Sequence, residues 1–329
     1  MIDRCRWMRV SVKTAAVLLA GGFAALASAQ GTAYVSSEKD QALTLIDLGT
    51  LAVKGTIPTC KRGRHIQLTR DRLILVACTD SNAADVIDPA TGKSLRRIPL
   101  GDAPEAFDVS PDGKTIYVSN EEASLASFID AATGKTLKSV KVGLEPEGVK
   151  VGADGKLLYV TSEVAGLVHV IDIASAAVVK NVKVGKRPRR MAITPDGKEL
   201  WVTNELDASV SIVSTATNTV IGELQFAVKG ARAQDITPVG IQMSGDGKRA
   251  FVALGKANHV AFVDVAARKV TNLVLVGKRA WNLTLDKAEA RLYVVNGLSD
   301  DVTVIDVAAA KPIKSIAVGR VPYGLVVVE

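Results

Sequence analysis

Histidine and cysteine are scarce in this chain of 329 residues, and long apolar runs are absent beyond its first thirty positions. The three histidines, His65, His169 and His259, never stand at metal-ligand spacing, so a histidine-based metal site has no ligand set. No C-x-x-C-H occurs, which excludes c-type haem attachment. No G-x-S-x-G occurs and no histidine lies near a candidate nucleophile, which argues against a hydrolase triad. Acids and bases alternate without a block of one sign, so there is no charged tail. No segment carries the 3.6-residue apolar period at helical length.

What is present begins with a leader. Arg4, Arg6, Arg9 and Lys13 precede an uncharged run from Thr14 to Ala27, and Ala27-Ser28-Ala29 stands before Gln30. A basic region, a short apolar region and an A-x-A site make residues 1–29 a cleavable secretory signal. The run is shorter than the roughly 20 residues a membrane helix needs. The expected mature protein is therefore exported to the periplasm, without a membrane span, as one domain over residues 30–329. The leader holds four basic residues and one acid, so its loss lowers the formal charge from +7 to +4. That balance is too mild to argue for nucleic acid. Cys5 leaves with the leader, and Cys60 and Cys78 remain as a possible disulfide in an oxidising compartment. Both sit at strand ends on one face, but on outer and second strands that are not immediate neighbours, which leaves the bridge open.

The mature chain is periodic. An apolar residue followed by aspartate recurs at Asp47, Asp88, Asp130, Asp172, Asp264 and Asp306, with Val213-Ser214 in the fifth copy; the steps are 41, 42, 42, 42, 50 and 42 residues. Each copy reads as four short strands, such as "LYVTS" (158–162) and "LVHVID" (167–172), joined by turns of the PDGK (111–114, 195–198) and ATGK (90–93, 132–135) kinds. Seven such units make an all-β, seven-bladed β-propeller of four-stranded antiparallel blades. The chain starts on a second strand ("TAYVSS", 32–37) and ends on a lone first strand ("YGLVVV", 323–328). Pairing these two closes the ring and removes an open edge.

"YVSN" (117–120), "YVTS" (159–162), "WVTN" (201–204) and "YVVN" (293–296) resemble the YVTN-repeat β-propellers over the whole mature chain. Stretches such as "EPEGVKV", "GKELWVTNE" and "VGKRAWNLTL" are similar to the PQQ-dependent catabolism-associated β-propeller proteins. That resemblance implies a bacterial periplasmic protein encoded beside a transport system and quinoprotein alcohol oxidation, with no catalytic residues to carry over. Quinoprotein dehydrogenases themselves are eight-bladed and tryptophan-rich, whereas the mature chain has only Trp201 and Trp281.

The PDGK and ATGK turns lie on one face and scarcely vary, so a specific site belongs on the opposite face. There the residue after the blade's proline reads Arg64, Glu105, Glu147, Arg189, Val239, Trp281 and Tyr323 around the ring, followed by His65, Ala106, Gly148, Arg190, Gly240, Asn282 and Gly324. With Arg187 this predicts a channel mouth with a basic side (Arg64, His65, Arg187, Arg189, Arg190), an acidic side (Glu105, Glu147) and two aromatics (Trp281, Tyr323). Such a mouth suits a flat anionic ligand or an acidic redox partner. The alternative is inter-blade ion pairing with Glu38, Glu121, Glu163 and Glu205, which follow the YVTN-like strands. Arg189 and Arg190 are expected to be substantially exposed and dispensable for folding.

Eight extra residues in 225–240 form a rim, a lid or a tolerated insertion. Asp108 and Asp235 are the acids that a channel metal would use, a weak set without a third ligand. The expected function is a monomeric, non-catalytic binding or docking module for PQQ-dependent alcohol oxidation, with no required cofactor, PQQ or a divalent cation being possible ligands. The alternatives are a metal-dependent lactonase- or lyase-type enzyme and a structural envelope protein.

Overall fold

The second strands are nearly continuous apolar runs while the outer strands are polar, and the architecture explains both. The computed structural model describes Met1 and residues 31–329; the signal assigned to residues 1–29 otherwise lies outside the described residues. Among the described residues twenty-eight strands, β1 to β28 in chain order, form seven four-stranded antiparallel sheets, with two short 3-10 turns at Thr79–Ser81 and Ala233–Asp235. Each sheet is a blade whose two faces pack on its neighbours, so its middle strands are buried on both sides. Strand β13 (Leu157–Ser162) is buried at every position after its first, whereas the outer strand β7 (Lys93–Pro99) is exposed everywhere but Ile98.

Blade 1 runs β28 (Pro322–Val328), β1 (Thr32–Ser37), β2 (Ala42–Asp47), β3 (Ala52–Pro58). The terminal pairing matches Thr32 with Val328 and Val35 with Leu325, so the ring closes as the repeat frame predicts. The other innermost strands are β4 (Gly63–Leu68), β8 (Pro104–Val109), β12 (Pro146–Val151), β16 (Pro188–Ile193), β20 (Ile241–Met243) and β24 (Ala280–Leu285), opening blades 2 to 7. The core lies between blades rather than on the axis. Trp201, Val210 and Ile212 of blade 5, for example, pack with Ala250, Val252 and Val263 of blade 6.

The segment that carries the eight extra residues is tied to the blades. Phe226, Val228 and Ile236 from that segment are buried in the same inter-blade cluster, so it is anchored by its own apolar side chains. Among the described residues no helix is long and apolar enough to cross a membrane.

Candidate functional site at the channel mouth

Two backbone devices aim side chains at the channel. The residue before each innermost strand is left-handed in six blades: Arg62, Ala103, Glu145, Arg187, Arg279 and Val321 have φ between 43° and 59°. A β-bulge then follows in the same six blades. In blade 5, Pro188 pairs with Asn204 and Met191 with Val202, so three steps on one strand oppose two on the other. The extra residue breaks the in–out alternation and lets both bulge residues face the axis.

The YVTN-like motif holds the bulge. In blade 5 the Thr203 hydroxyl accepts from the Arg190 N–H at 3.0 Å and donates to the Val239 carbonyl of blade 6 at 2.7 Å. Thr161 does the same between Gly148 and Arg189, and Ser119 between Ala106 and Glu147. A single buried hydroxyl thus satisfies the bulge and ties it to the next blade. Glycine follows the mouth residue in blade 4 because a Cβ on Gly148 would collide with the Arg189 carbonyl oxygen.

Arg64, Glu105, Glu147, Arg187, Arg189, Trp281 and Tyr323 line one mouth cavity of about 410 Å³, together with Glu38, Glu121, Glu205, Lys256 and Arg279. His65 and Arg190 instead line a second chamber of about 390 Å³ towards the turn face, with Gln67, Asp108, Lys150 and Asn282. Arg190 connects the two by donating to the Tyr323 hydroxyl and, at 3.1 Å, to the Glu147 carbonyl.

Two expectations need correction here. The mouth has no separate basic and acidic sides, because its charges are interleaved. Arg64 pairs with Glu105 and with Glu38 (3.3 Å). Arg189 pairs with Glu163 and with Glu147 (3.3 Å), and Arg190 with Glu147 (3.1 Å). Arg187 bridges Glu163 (2.6 Å) and Glu205 (3.2 Å). Nor are the two arginines exposed: Arg189 and Arg190 are 6% and 8% accessible, and Glu105 and Glu147 only 1% and 3%. Seven inner strands converge on one axis, and the bulges turn long side chains into that confined space.

This burial sets the titration behaviour. Burial alone would raise the carboxyl of Glu147, but Arg189, Arg190 and Arg64 outweigh it and lower the pKa to about 2. His65 is pushed down to about 3 by burial, helped by the positive charge of Arg190. Asp108 stays below the usual carboxylate range despite its burial, because of Lys150 and the Val151 N–H.

Asp108 and Asp235 are not brought together. Asp108 is held in the second chamber by Lys150 (3.0 Å), while Asp235 lies in the 3-10 turn of the long segment, paired with Arg232 (2.6 Å). Among the described residues no three His, Cys, Asp or Glu side chains are grouped to hold a metal ion. Cys60 and Cys78 form a disulfide with a Cα–Cα distance of 5.7 Å. The geometric objection fails because Cys60 lies beyond β3, in the link that runs inward to the next blade.

Sequence reasoning missed Lys256 and Arg279. Arg279 was legible by analogy, since "VGKRAWN" repeats the frame of "VGKRPRR" and places it where Arg187 stands. It covers the Trp281 ring at 4.1 Å, and Arg189 approaches the same ring at 5.1 Å.

Comparison with known proteins agrees with this architecture. The YNCE-like beta-propeller family profile matches residues 2–199, and a profile for the 7-bladed beta-propeller lactonases matches residues 174–313. No curated protein matches the chain. Among solved structures, hydrazine synthase of Kuenenia stuttgartiensis is similar at 24% identity and TM-score 0.76, over 84% of this chain and 93% of that one. The periplasmic gluconolactonase PpgL of Pseudomonas aeruginosa is similar at 18% identity and TM-score 0.78, over 91% and 99%. Dihydro-heme d1 dehydrogenase NirN is similar at 14% identity and TM-score 0.69, over 90% and 75%. At such identities the likeness is one of fold.

Proposed function

We propose that this chain, which belongs to the YNCE-like beta-propeller family, is an exported binding protein that captures a small anionic ligand at its channel mouth. The observation that carries the reading is a roughly 410 Å³ cavity walled by charges that are already paired beneath it. A carboxylate held at a pKa of about 2, as Glu147 is, is a feeble general base at neutral pH. Fixed ion pairs and a covered tryptophan instead make a rigid, polar receptor wall that needs little ordering on binding. The likeness to PQQ-associated propellers supports a role in quinoprotein alcohol oxidation, in the periplasm, with PQQ as the first ligand to test. A resident divalent cation fits poorly, since four of the five mouth acids, Glu38, Glu105, Glu147 and Glu205, are each engaged by arginine and, among the described residues, only Glu121 of the five is without an ion pair.

A second reading, lactone hydrolysis, is favoured by the lactonase profile over residues 174–313. One pair of measurements separates them. Titration calorimetry of the mature protein with PQQ should show saturable binding, and lactone hydrolysis should stay at the buffer rate with or without added calcium or manganese. Metal-dependent lactone turnover, with no PQQ binding, reverses the order of the two readings.

A further inference from the structure

Every arginine at the mouth except one is committed to a carboxylate. Arg64, Arg187, Arg189 and Arg190 each lie within ion-pair distance of one or more glutamates. Among the described residues, the side chains of Arg279 and Lys256 form no ion pair and no hydrogen bond, although both line the cavity. The reason is visible in the repeat. Blades 1, 3, 4 and 5 place Glu38, Glu121, Glu163 and Glu205 after their second strands, blade 2 has Thr79 there, and blades 6 and 7 have Gly255 and Gly297 at the matching repeat positions. The acid ring is interrupted where the two free cations stand.

Arg279 is nonetheless held in place. Its φ of 59° is a conformation that L residues adopt at a cost, and its N–H donates to the Asn258 side chain at 2.8 Å. Its guanidinium lies 4.1 Å from the Trp281 ring centroid, and Trp281 itself is 6% accessible. The ring of that tryptophan lines the cavity beneath the guanidinium. Burial also pulls Arg279 below the usual guanidinium range, as expected of a cation that no nearby carboxylate fully compensates.

We infer that Arg279 and Lys256, beside the Trp281 ring, form a carboxylate-binding subsite on the blade 6–blade 7 side of the mouth; this rests on the reading of the mouth as a ligand site. A planar fork binds a carboxylate through two parallel hydrogen bonds, and Lys256 adds a point charge from the adjoining loop. A phosphate would meet the same donors. A phosphate dianion, however, faces the glutamates on the rest of the wall, Glu38, Glu105, Glu121, Glu147 and Glu205, with twice the charge. The subsite therefore favours a carboxylate group over a phosphate group, and the flat guanidinium face favours a carboxylate conjugated to a planar ring.

The test uses the mature protein at low ionic strength, with benzoate and inorganic phosphate as calorimetric probes. Wild type should bind benzoate, and more tightly than phosphate. Arg279→Ala should weaken benzoate at least tenfold, Arg279→Lys should recover part of the loss, and Lys256→Ala should weaken it about threefold. Arg320→Ala, a rim arginine paired with Asp40 at 2.7 Å, should bind as wild type does. The Tm of Arg279→Ala should stay close to that of wild type, since no partner is left buried and unpaired. Unchanged benzoate binding in Arg279→Ala overturns the subsite but leaves the mouth reading intact. Phosphate binding tighter than benzoate overturns the carboxylate assignment, and a wild type that binds neither probe overturns the subsite, while the PQQ titration decides the mouth reading.

Discussion

Replacing Arg189 by methionine keeps most of its volume and removes its charge. In the native mouth that charge faces Glu147 at 3.3 Å, Glu205 at 3.6 Å and Glu163 in closer contact. Glu147 and Glu163 are 3% and 6% accessible, so they cannot recover hydration by moving. Breaking a buried pair typically costs 3–5 kcal/mol, because the surviving charge stays desolvated. Arg190 still reaches Glu147 and Arg187 still reaches Glu163, which places the cost at the low end, about 3 kcal/mol. For a domain of this size that is a fall in Tm of roughly 5 °C by calorimetry.

The same variant carries a pH signature. The Glu147 pKa in the folded state is about 2, below the ordinary value of 4.5, so its charge contributes stability that is fully present above pH 4.5. That contribution is lost as the pH falls towards 2. Arg189→Met raises this pKa, so the Tm gap to wild type should be full at pH 7 and should close between about pH 4.5 and 2. Adding Glu163→Gln should restore part of the loss, because Arg187, the other partner of Glu163, keeps Glu205. A Tm gap at pH 7 below 2 °C, or one that persists unchanged to pH 2, would refute the electrostatic account.

Three further outcomes follow from the fold. Thr203→Val leaves the Arg190 N–H and the Val239 carbonyl without their shared hydroxyl, and should lower stability by roughly 1–3 kcal/mol in denaturant titration; no loss would mean the motif hydroxyl is not the bulge's clamp. The Cys60–Cys78 bridge closes a loop over a separation of 18 residues and should contribute about 3 kcal/mol; thiol titration of the denatured, unreduced protein should find no free thiol, and two free thiols would reject the bridge. Deleting Pro322–Glu329 removes the strand that pairs with Thr32–Val35 and should abolish the cooperative unfolding of the whole ring; a truncated protein that melts like the intact one would refute closure by that strand.

The architecture was legible because its signals are local and repeated. An alternating strand, a PDGK turn and an apolar–aspartate pair each constrain a few residues, and their recurrence about every 42 positions multiplies the evidence. The mouth was legible only as a set of positions. A bulge is a one-residue slip between neighbouring strands, and nothing in the alternation of "PRRMAI" shows that Arg189 and Arg190 both turn inward. Burial was misjudged for a related reason: arginine and glutamate are read as surface residues one at a time, yet here they bury one another across blades 4 and 5. The partners of Arg189 lie 26 and 42 residues away, at Glu163 and Glu147, a distance that the packing of blade 4 against blade 5 collapses. The asymmetry that matters for function is therefore a property of the ring as a whole. Once four blades supply a glutamate after the second strand and blades 6 and 7 supply glycine, the cations opposite those glycines are left to a guest, and Arg279, rather than the better-paired Arg189, becomes the residue on which recognition turns.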